Sequence, residues 1–218
     1  METIQHFLSD TVTNIQIKVM LSQVNVVAGN ESDIVLRWTD TKRRTTSTVL
    51  EGTVLTVKDH AEIALYGIVG LISLKESNEL TLELPNDFCG SVQIESNDEC
   101  VRVLGVNCPA TLQVKNIVGA IGISSSNLQS CDLTSKSGTI TLYGIMTQKG
   151  ISAMTNIGNI ECLCGETADN YLLDCSSEHG VCNLPSIFGR GAKYLRLRSK
   201  IGTITVNFTD EIKGGKLQ

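Results

Sequence analysis

The chain alternates apolar and polar residues in short runs that recur at a fixed spacing. Each run reads apolar-polar-apolar, as in Val92, Gln93 and Ile94, and a second run begins nine residues later. Alternation with a period of two turns one set of side chains inward and the other toward water, which is typical of half-buried β-strands. The pattern predicts strand pairs that begin at Val92 and Val101, Leu112 and Ile121, Cys131 and Ile140, Ile151 and Ile160, and Leu195 and Ile204.

The strand pairs between residues 92 and 160 begin 19 or 20 residues apart. A fixed period of this length indicates a solenoid, in which each coil is covered by its neighbours. We therefore predict an all-β protein, a β-solenoid of the β-helix or β-roll type, with coils of 19–20 residues and two short strands per coil. Four turns carry a glycine two residues before the second strand, where a corner often requires positive φ; these are Gly119, Gly138, Gly158 and Gly202. The first coil has Glu99 there, so its corner should differ.

The spacing divides the chain into parts. Ten or eleven residues connect one coil to the next up to Ile160, but 35 residues separate Ile160 from Leu195. About 24 extra residues should therefore leave the solenoid as a loop at about 165–193, since insertions in repeat proteins loop out from one face. Residues 86–218 form the regular solenoid, and residues 1–85 form a less regular β-rich part. We expect this part to stack on the solenoid, because an open end would expose unpaired strand edges.

The composition of the chain argues against several classes of function. Hydrophobic residues make up 41 % of the 218 residues and charged residues 19 %, as in folded proteins. The net charge of −5 argues against binding to nucleic acid, and aromatic residues, at 4 %, are too few for a stacking platform. The most apolar run, at 64–74, is shorter than the roughly 20 residues of a membrane span and is interpreted as a buried strand pair rather than a patch that faces a partner. No secretory signal is visible, which predicts a cytoplasmic protein, or a cell-surface protein if a signal was trimmed.

Several short motifs resemble the bacterial putative adhesin family, an uncharacterised group of β-solenoid proteins. They are the opening strand pair at 14–17 and 24–26, the strand after a glycine turn at 52–57, the L-x-L-P step at 82–85, and the serine-glycine-x-isoleucine corner at 137–140. The resemblance covers most of the chain. It implies a stacked β fold and a surface-binding role, with a protein or cell-surface partner. It implies no catalytic residues.

The insertion contains the one chemically suggestive cluster. Cys164, Cys175, His179 and Cys182 could supply the four thiolate or imidazole ligands of a zinc ion, with Cys162 pointing into the core. Their spacing is not one of the usual paired patterns. The alternatives are ordinary free thiols or, in an exported protein, a disulfide between Cys175 and Cys182 or between Cys164 and Cys175. The zinc or thiol alternative predicts a metal-binding or redox-sensing protein.

An enzyme is not expected. Cys175 and His179 would form a nucleophile–base pair only in a helix, and the serines and glycine nearby argue against a helix there. Arg196, Arg198 and Lys200 alternate with leucines on one strand and are interpreted as solvated edge protection rather than an anion site. The trio of basic residues at 42–44 is interpreted in the same way. The sequence therefore predicts a non-enzymatic binding or scaffold protein without a cofactor.

Overall fold

A computed structural model of the chain describes residues 2–30, 32–41, 44–61, 78–185 and 187–209. Almost all of these residues lie in β-strands or in the turns between them, and a 3-10 helix spans Ala168–Asn170. The strands are β1 (Glu2–Leu8), β2 (Asn14–Val19), β3 (Ser22–Ala28), β4 (Asp33–Thr39), β5 (Arg44–Glu51), β6 (Val54–Ala61), β7 (Asn78–Leu84), β8 (Ser91–Ser96), β9 (Val101–Leu104), β10 (Thr111–Val118), β11 (Ile121–Ser124), β12 (Asn127–Ser137), β13 (Ile140–Ile157), β14 (Ile160–Cys164), β15 (Tyr171–His179), β16 (Ile187–Phe188), β17 (Lys193–Ile201) and β18 (Ile204–Phe208).

Two sheets enclose the core. Sheet I contains the first strand of each coil, in the order β5-β6-β2-β8-β10-β12-β13-β17-β15-β16. Sheet II contains the second strands, in the order β1-β4-β7-β3-β9-β11-β13-β14-β18. The long strand β13 belongs to both sheets, because its first half pairs with β11 and β14 and its second half pairs with β12 and β17.

The predicted strand pairs stack in parallel and in register, so the β-solenoid prediction is confirmed. In sheet I, Val92 lies beside Leu112, which is followed by Cys131, Ile151 and Leu195. In sheet II, Val101 begins the corresponding row of Ile121, Ile140, Ile160 and Ile204. All of these side chains are buried. Each contributes roughly 1.5–3 kcal/mol if fully buried, so the rows form a continuous core along the stack.

The corner glycines form a stacked column of their own. Gly119, Gly138, Gly158 and Gly202 all have positive φ, between 117° and 155°. A Cβ atom at Gly138 would overlap the carbonyl oxygen of Gly119, and one at Gly158 would overlap that of Gly138. Glycine is therefore required both by the backbone conformation and by the close approach of the next coil. Glu99 turns its corner without positive φ, so this corner does differ.

A buried polar row beneath the corners was not predicted. Asn116 donates from its amide nitrogen to the carbonyl of Glu99 at 3.1 Å. Thr155 and Ser199 donate from their hydroxyls to the carbonyls of Gly138 and Gly158, at 3.2 and 3.0 Å. A buried carbonyl without a partner is costly, so these side chains stabilise the corner where the backbone leaves the ladder.

The N-terminal part is continuous with the coils. Strands β2 and β3 form a coil whose residues pair in register with β8 and β9, so Ile15 lies beside Val92 and Val24 beside Val101. Strands β6 and β7 pair with the other edges of β2 and β3. The coil formed by β2 and β3, which comes first in the sequence, therefore lies between β6 and β7 on one side and β8 and β9 on the other. Antiparallel strands complete this end, with β5 beside β6, and β4 and β1 outside β7. A domain boundary at residue 85 stays a prediction.

The insertion differs from the predicted loop. Its strand β15 pairs in parallel with β17 over most of its length, with Leu173 beside Leu195 and Cys175 beside Leu197. The last regular coil, β17 and β18, therefore lies between β14 and the inserted segment rather than at the end of the stack. The segment stacks as an outer half-coil because Tyr171, Leu173 and Cys175 are inward-facing and buried. The apolar run at 64–74 lies outside the described residues.

Candidate functional site

The structure arranges the four predicted zinc ligands in three different environments. Cys175 and Cys182 are joined in a disulfide, with their Cα atoms 6.8 Å apart. Cys164 is buried in β14, with its sulfur 3.6 Å from that of Cys162, which points inward as predicted. His179 is exposed at the end of β15. Cysteines in a disulfide have no thiolate to offer a metal, and no group of three metal-binding side chains occurs among the described residues.

The buried thiols of Cys108, Cys131 and Cys162 are unreactive near neutral pH. Burial raises the pKa of the Cys131 and Cys108 thiols. The hydrogen bond with Cys164 and the burial of the site together raise the pKa of Cys162 well above its ordinary value. A thiol with a raised pKa is protonated near neutral pH and is a poor nucleophile and metal ligand. These cysteines therefore serve as small apolar side chains of the core.

Cys175 and His179 are not positioned as a nucleophile and its general base either. The segment is a strand, in which residues four apart are separated by roughly 13 Å. The sulfur of Cys175 is also held in the disulfide. The condition that the sequence set for this pair, a helical segment, is therefore not met.

The basic side chains of β17 are paired with a neighbouring acid. Asp174 on β15 lies 2.8 Å from the guanidinium of Arg198 and 3.4 Å from that of Arg196. The hydrogen bond from Arg198 and the nearby arginine charges hold the pKa of Asp174 below its ordinary value. This arrangement agrees with the edge-protection interpretation, because two of the three cations already have an anionic partner. Lys200 is exposed, and the trio at 42–44 lies outside the described side chains.

The outward side chains of sheet II form two rows across its strands. The polar row contains Asn25, Arg102, Gly122, Thr141, Glu161 and Thr205. The apolar row lies two residues further along each strand and contains Val27, Leu104, Ser124, Tyr143, Leu163 and Asn207. Leu104 and Tyr143 are 57 % and 59 % exposed. Exposed apolar side chains that lie next to one another are a feature of interaction surfaces.

Two shallow depressions lie on this face. The first has a volume of about 470 Å³ and extends across β7, β3, β9 and β11, where Gly122 and Ser124 of β11 are among its lining residues. The second, of about 390 Å³, lies beside Tyr143 and is lined by Glu161 and Leu163 among others. Gly122 has no side chain and Ser124 a short one, so the middle of the face is recessed. Both depressions are open and shallow, which suits a surface contact better than an enclosed small molecule.

The alternation of each strand predicts that the residue between its two apolar residues faces outward, and these residues form the polar row. The alternation did not indicate the apolar row, because the next outward residue lies just beyond the second apolar residue. Leu104, Tyr143 and Leu163 stand at this position in three of the four central strands. The signal was therefore present in these three strands as an apolar residue directly after the inward pair.

The stacked β-coils define a repeat protein of the β-solenoid class. The family model described as Toastrack DUF4097 matches residues 12–213, and the chain belongs to this family. The resemblance to the uncharacterised putative adhesin family is thereby confirmed. No curated protein shows significant sequence similarity to the chain.

Two crystal structures have a similar course of the chain. One is of a putative cell adhesion protein from Clostridium sporogenes ATCC 15579, with a TM-score of 0.57 and 10 % identity over 96 % of this chain and 99 % of that chain. The other is of a putative adhesin from Bacteroides fragilis NCTC 9343, with a TM-score of 0.48 and 14 % identity over 95 % of this chain and 97 % of that chain. At 10 % identity the first likeness shows a shared fold. None of the helices in the described part of the chain is long and apolar enough to cross a membrane.

Proposed function

We propose that the chain is a non-enzymatic, adhesin-like binding domain that contacts another protein through the outer face of sheet II. The observation that carries this proposal is the apolar row of sheet II, in which Leu104 and Tyr143 are more than half exposed. Protein interfaces are enriched in tyrosine and depleted of charge at their centre, as this face is between Arg102 and Glu161. The description of the similar crystal structure from Clostridium sporogenes as a putative cell adhesion protein supports the same class of function.

The proposal assigns no catalytic group and no cofactor to the chain. The thiols of Cys108, Cys131 and Cys162 have raised pKa values, and the described acid–base pairs on sheet I neutralise one another. The residues on sheet II that face outward offer hydroxyl, amide and apolar contacts, which suit recognition of a protein surface.

The proposal also places the domain in an oxidising compartment, as a surface role requires. Disulfides form and persist outside the cytosol, and the Cys175–Cys182 bridge supports this location. The sequence-based expectation of a cytoplasmic protein followed from the absence of a visible signal. The bridge favours the surface alternative.

Site-specific photo-crosslinking tests the binding face. A benzophenone amino acid replaces Tyr143 on sheet II or, as a matched control, the exposed Lys115 on sheet I. Illumination of intact cells that naturally produce the protein should give a discrete covalent protein adduct at position 143 and none at position 115. Equal labelling at the two positions, or no adduct at position 143, would contradict the proposal.

A further inference from the structure

We propose that the partner at the outer face of sheet II is a second copy of this chain, bound face to face about a twofold axis. This inference rests on the proposed function, because it names the partner of the same face. Four parallel strands form the centre of the face, in the order β9, β11, the first half of β13, and β14. An axis that runs parallel to the strands, between β11 and β13, exchanges β9 of one copy with β14 of the other.

The charges on the polar row match this axis. Arg102 projects from β9 and Glu161 from β14, at equivalent positions along their strands. Both are exposed, and neither forms a salt bridge with another described residue. Within one chain they are three strands apart, roughly 14 Å, which is too far for a direct pair. The twofold axis places each Arg102 opposite Glu161 of the second copy, so two ion pairs form at once.

The apolar row is self-complementary about the same axis. Leu104 comes to lie opposite Leu163 of the second copy, and Tyr143 opposite Ser124. Because Ser124 and Gly122 line the recess of about 470 Å³, the ring of Tyr143 has a hollow in which to pack. If the axis were shifted by half the distance between neighbouring strands, so that it ran along β11, Arg102 would lie opposite Thr141 of the second copy. Glu161 would then lie opposite Asn25 of the second copy. The charge pairs therefore select one register among the face-to-face arrangements.

The expected contact is small. Six strands at about 4.8 Å spacing and four residues at about 3.3 Å give an area of roughly 380 Å² on each copy. A stable complex buries about 800 Å² per partner, so the isolated domain should dimerise weakly. Copies held close together on opposing surfaces gain effective concentration, and many weak contacts then suffice. A weak homophilic contact is consistent with the adhesin-like function proposed above.

Sedimentation velocity tests the pairing with purified chain from about 10 µM to about 1 mM. The unmodified protein should show a concentration-dependent dimer. Arg102→Glu and Glu161→Arg should each weaken dimerisation at least about tenfold, because each places like charges opposite one another twice. The double variant should restore the dissociation constant to within about threefold of the original. Lys115→Glu on sheet I changes the net charge by the same amount as Arg102→Glu and should leave the dimer intact.

Gly122→Trp provides a second, steric test. A Cβ atom at Gly122 meets nothing within 4 Å, so the monomer tolerates the substitution, but the new ring fills the hollow that receives Tyr143. Loss of the dimer with an unchanged circular dichroism spectrum supports the proposal. The proposal is overturned if the protein stays monomeric at about 1 mM. It is also overturned if neither the charge variants nor Gly122→Trp changes the dissociation constant of the dimer. If photo-crosslinking at position 143 nevertheless traps a different protein, the proposed function stands and the second copy is excluded as partner.

Discussion

The two ends of the stack are closed by different chemistry. At each end a segment folds back outside a neighbouring coil: β6 and β7 enclose β2 and β3, and β15 encloses β17. The N-terminal end is held by a buried carboxylate, and the C-terminal end by a disulfide and a side-chain amide. The comparison shows that the regular coils alone do not complete the two ends of the stack. Each end needs polar groups that satisfy backbone groups, in a corner or at a strand edge, which no further coil covers.

At the N-terminal end Asp59 binds the corner between β2 and β3. Its carboxylate accepts hydrogen bonds from the backbone N–H groups of Met20 and Leu21, at 2.7 and 3.2 Å, and from the hydroxyl of Ser22 at 2.9 Å. Asp59 is only 8 % exposed. This single side chain therefore replaces the corner contacts that a further coil supplies elsewhere in the stack.

At the C-terminal end residues 181–184 cover the outer edge of β18. The amide of Asn183 donates to the carbonyl of Val206 and accepts from its N–H, both at 2.8 Å, as a neighbouring strand would. The disulfide then ties this segment at Cys182 to β15 at Cys175. A covalent link suits this end because only the short β16 pairs with the outer side of β15 among the described residues.

The largest effect is expected for Asp59→Ala. The substitution leaves two backbone donors and one hydroxyl without their acceptor in a buried corner, so the free energy of unfolding should fall by about 3 kcal/mol. Urea denaturation measures the change, with Asp10→Ala in an exposed turn as control. A loss equal to that of the control would show that the carboxylate does not hold this end.

Removing the disulfide should have the next largest effect. The bridge links residues seven apart, and a loop of this size stabilises the folded state by about 2 kcal/mol. The double variant Cys175→Ser, Cys182→Ser should lose this amount, and hydrogen exchange should accelerate in β15 more than in β8. Cys89→Ser, which replaces an exposed free cysteine, is the control. Uniform acceleration throughout the stack would argue against a local role at the C-terminal end.

Asn183→Ala should cost about 1 kcal/mol, because its two hydrogen bonds lie near the surface. The matched variant Asn183→Asp keeps the acceptor for the N–H of Val206 and loses the donor to its carbonyl. It should fall between the alanine variant and the unmodified protein in the same denaturation assay. Equal stability of all three would mean that solvent replaces the amide at this strand edge.

The smallest effect is expected from protonation of Asp174 at low pH. The folded-state pKa of Asp174 is lowered by Arg198 and Arg196, so its contribution to stability is present above the ordinary carboxylate pKa and is lost as pH falls through the folded value. The pair is partly exposed, and the contribution should be below about 0.5 kcal/mol. Denaturation of the unmodified protein and Asp174→Asn from about pH 6 to pH 2 should give curves that converge below about pH 4. Curves that diverge toward low pH would contradict this sign.

Local patterns predicted the coils well and the closures poorly. The inward residues of each strand and the corner glycines depend on alternation and backbone conformation within a few residues, and the structure confirms them. The disulfide was one of several alternatives for the cysteines, because the spacing of Cys164, Cys175 and Cys182 does not determine their pairing. The contact of Asp59 with Met20 joins residues 39 apart, which no local pattern indicates.

The sequence by itself determined the repeat: the 19–20-residue coil, the two strands per coil and the glycine at the corner. These features are written into each coil, because the same local pattern must bury the same side chains every time. Only the tertiary structure decided the order of the outer coils, the disulfide and the alignment of Arg102, Tyr143 and Glu161 on one face. Those features depend on which strands become neighbours, and that choice is made by packing between residues far apart in the chain.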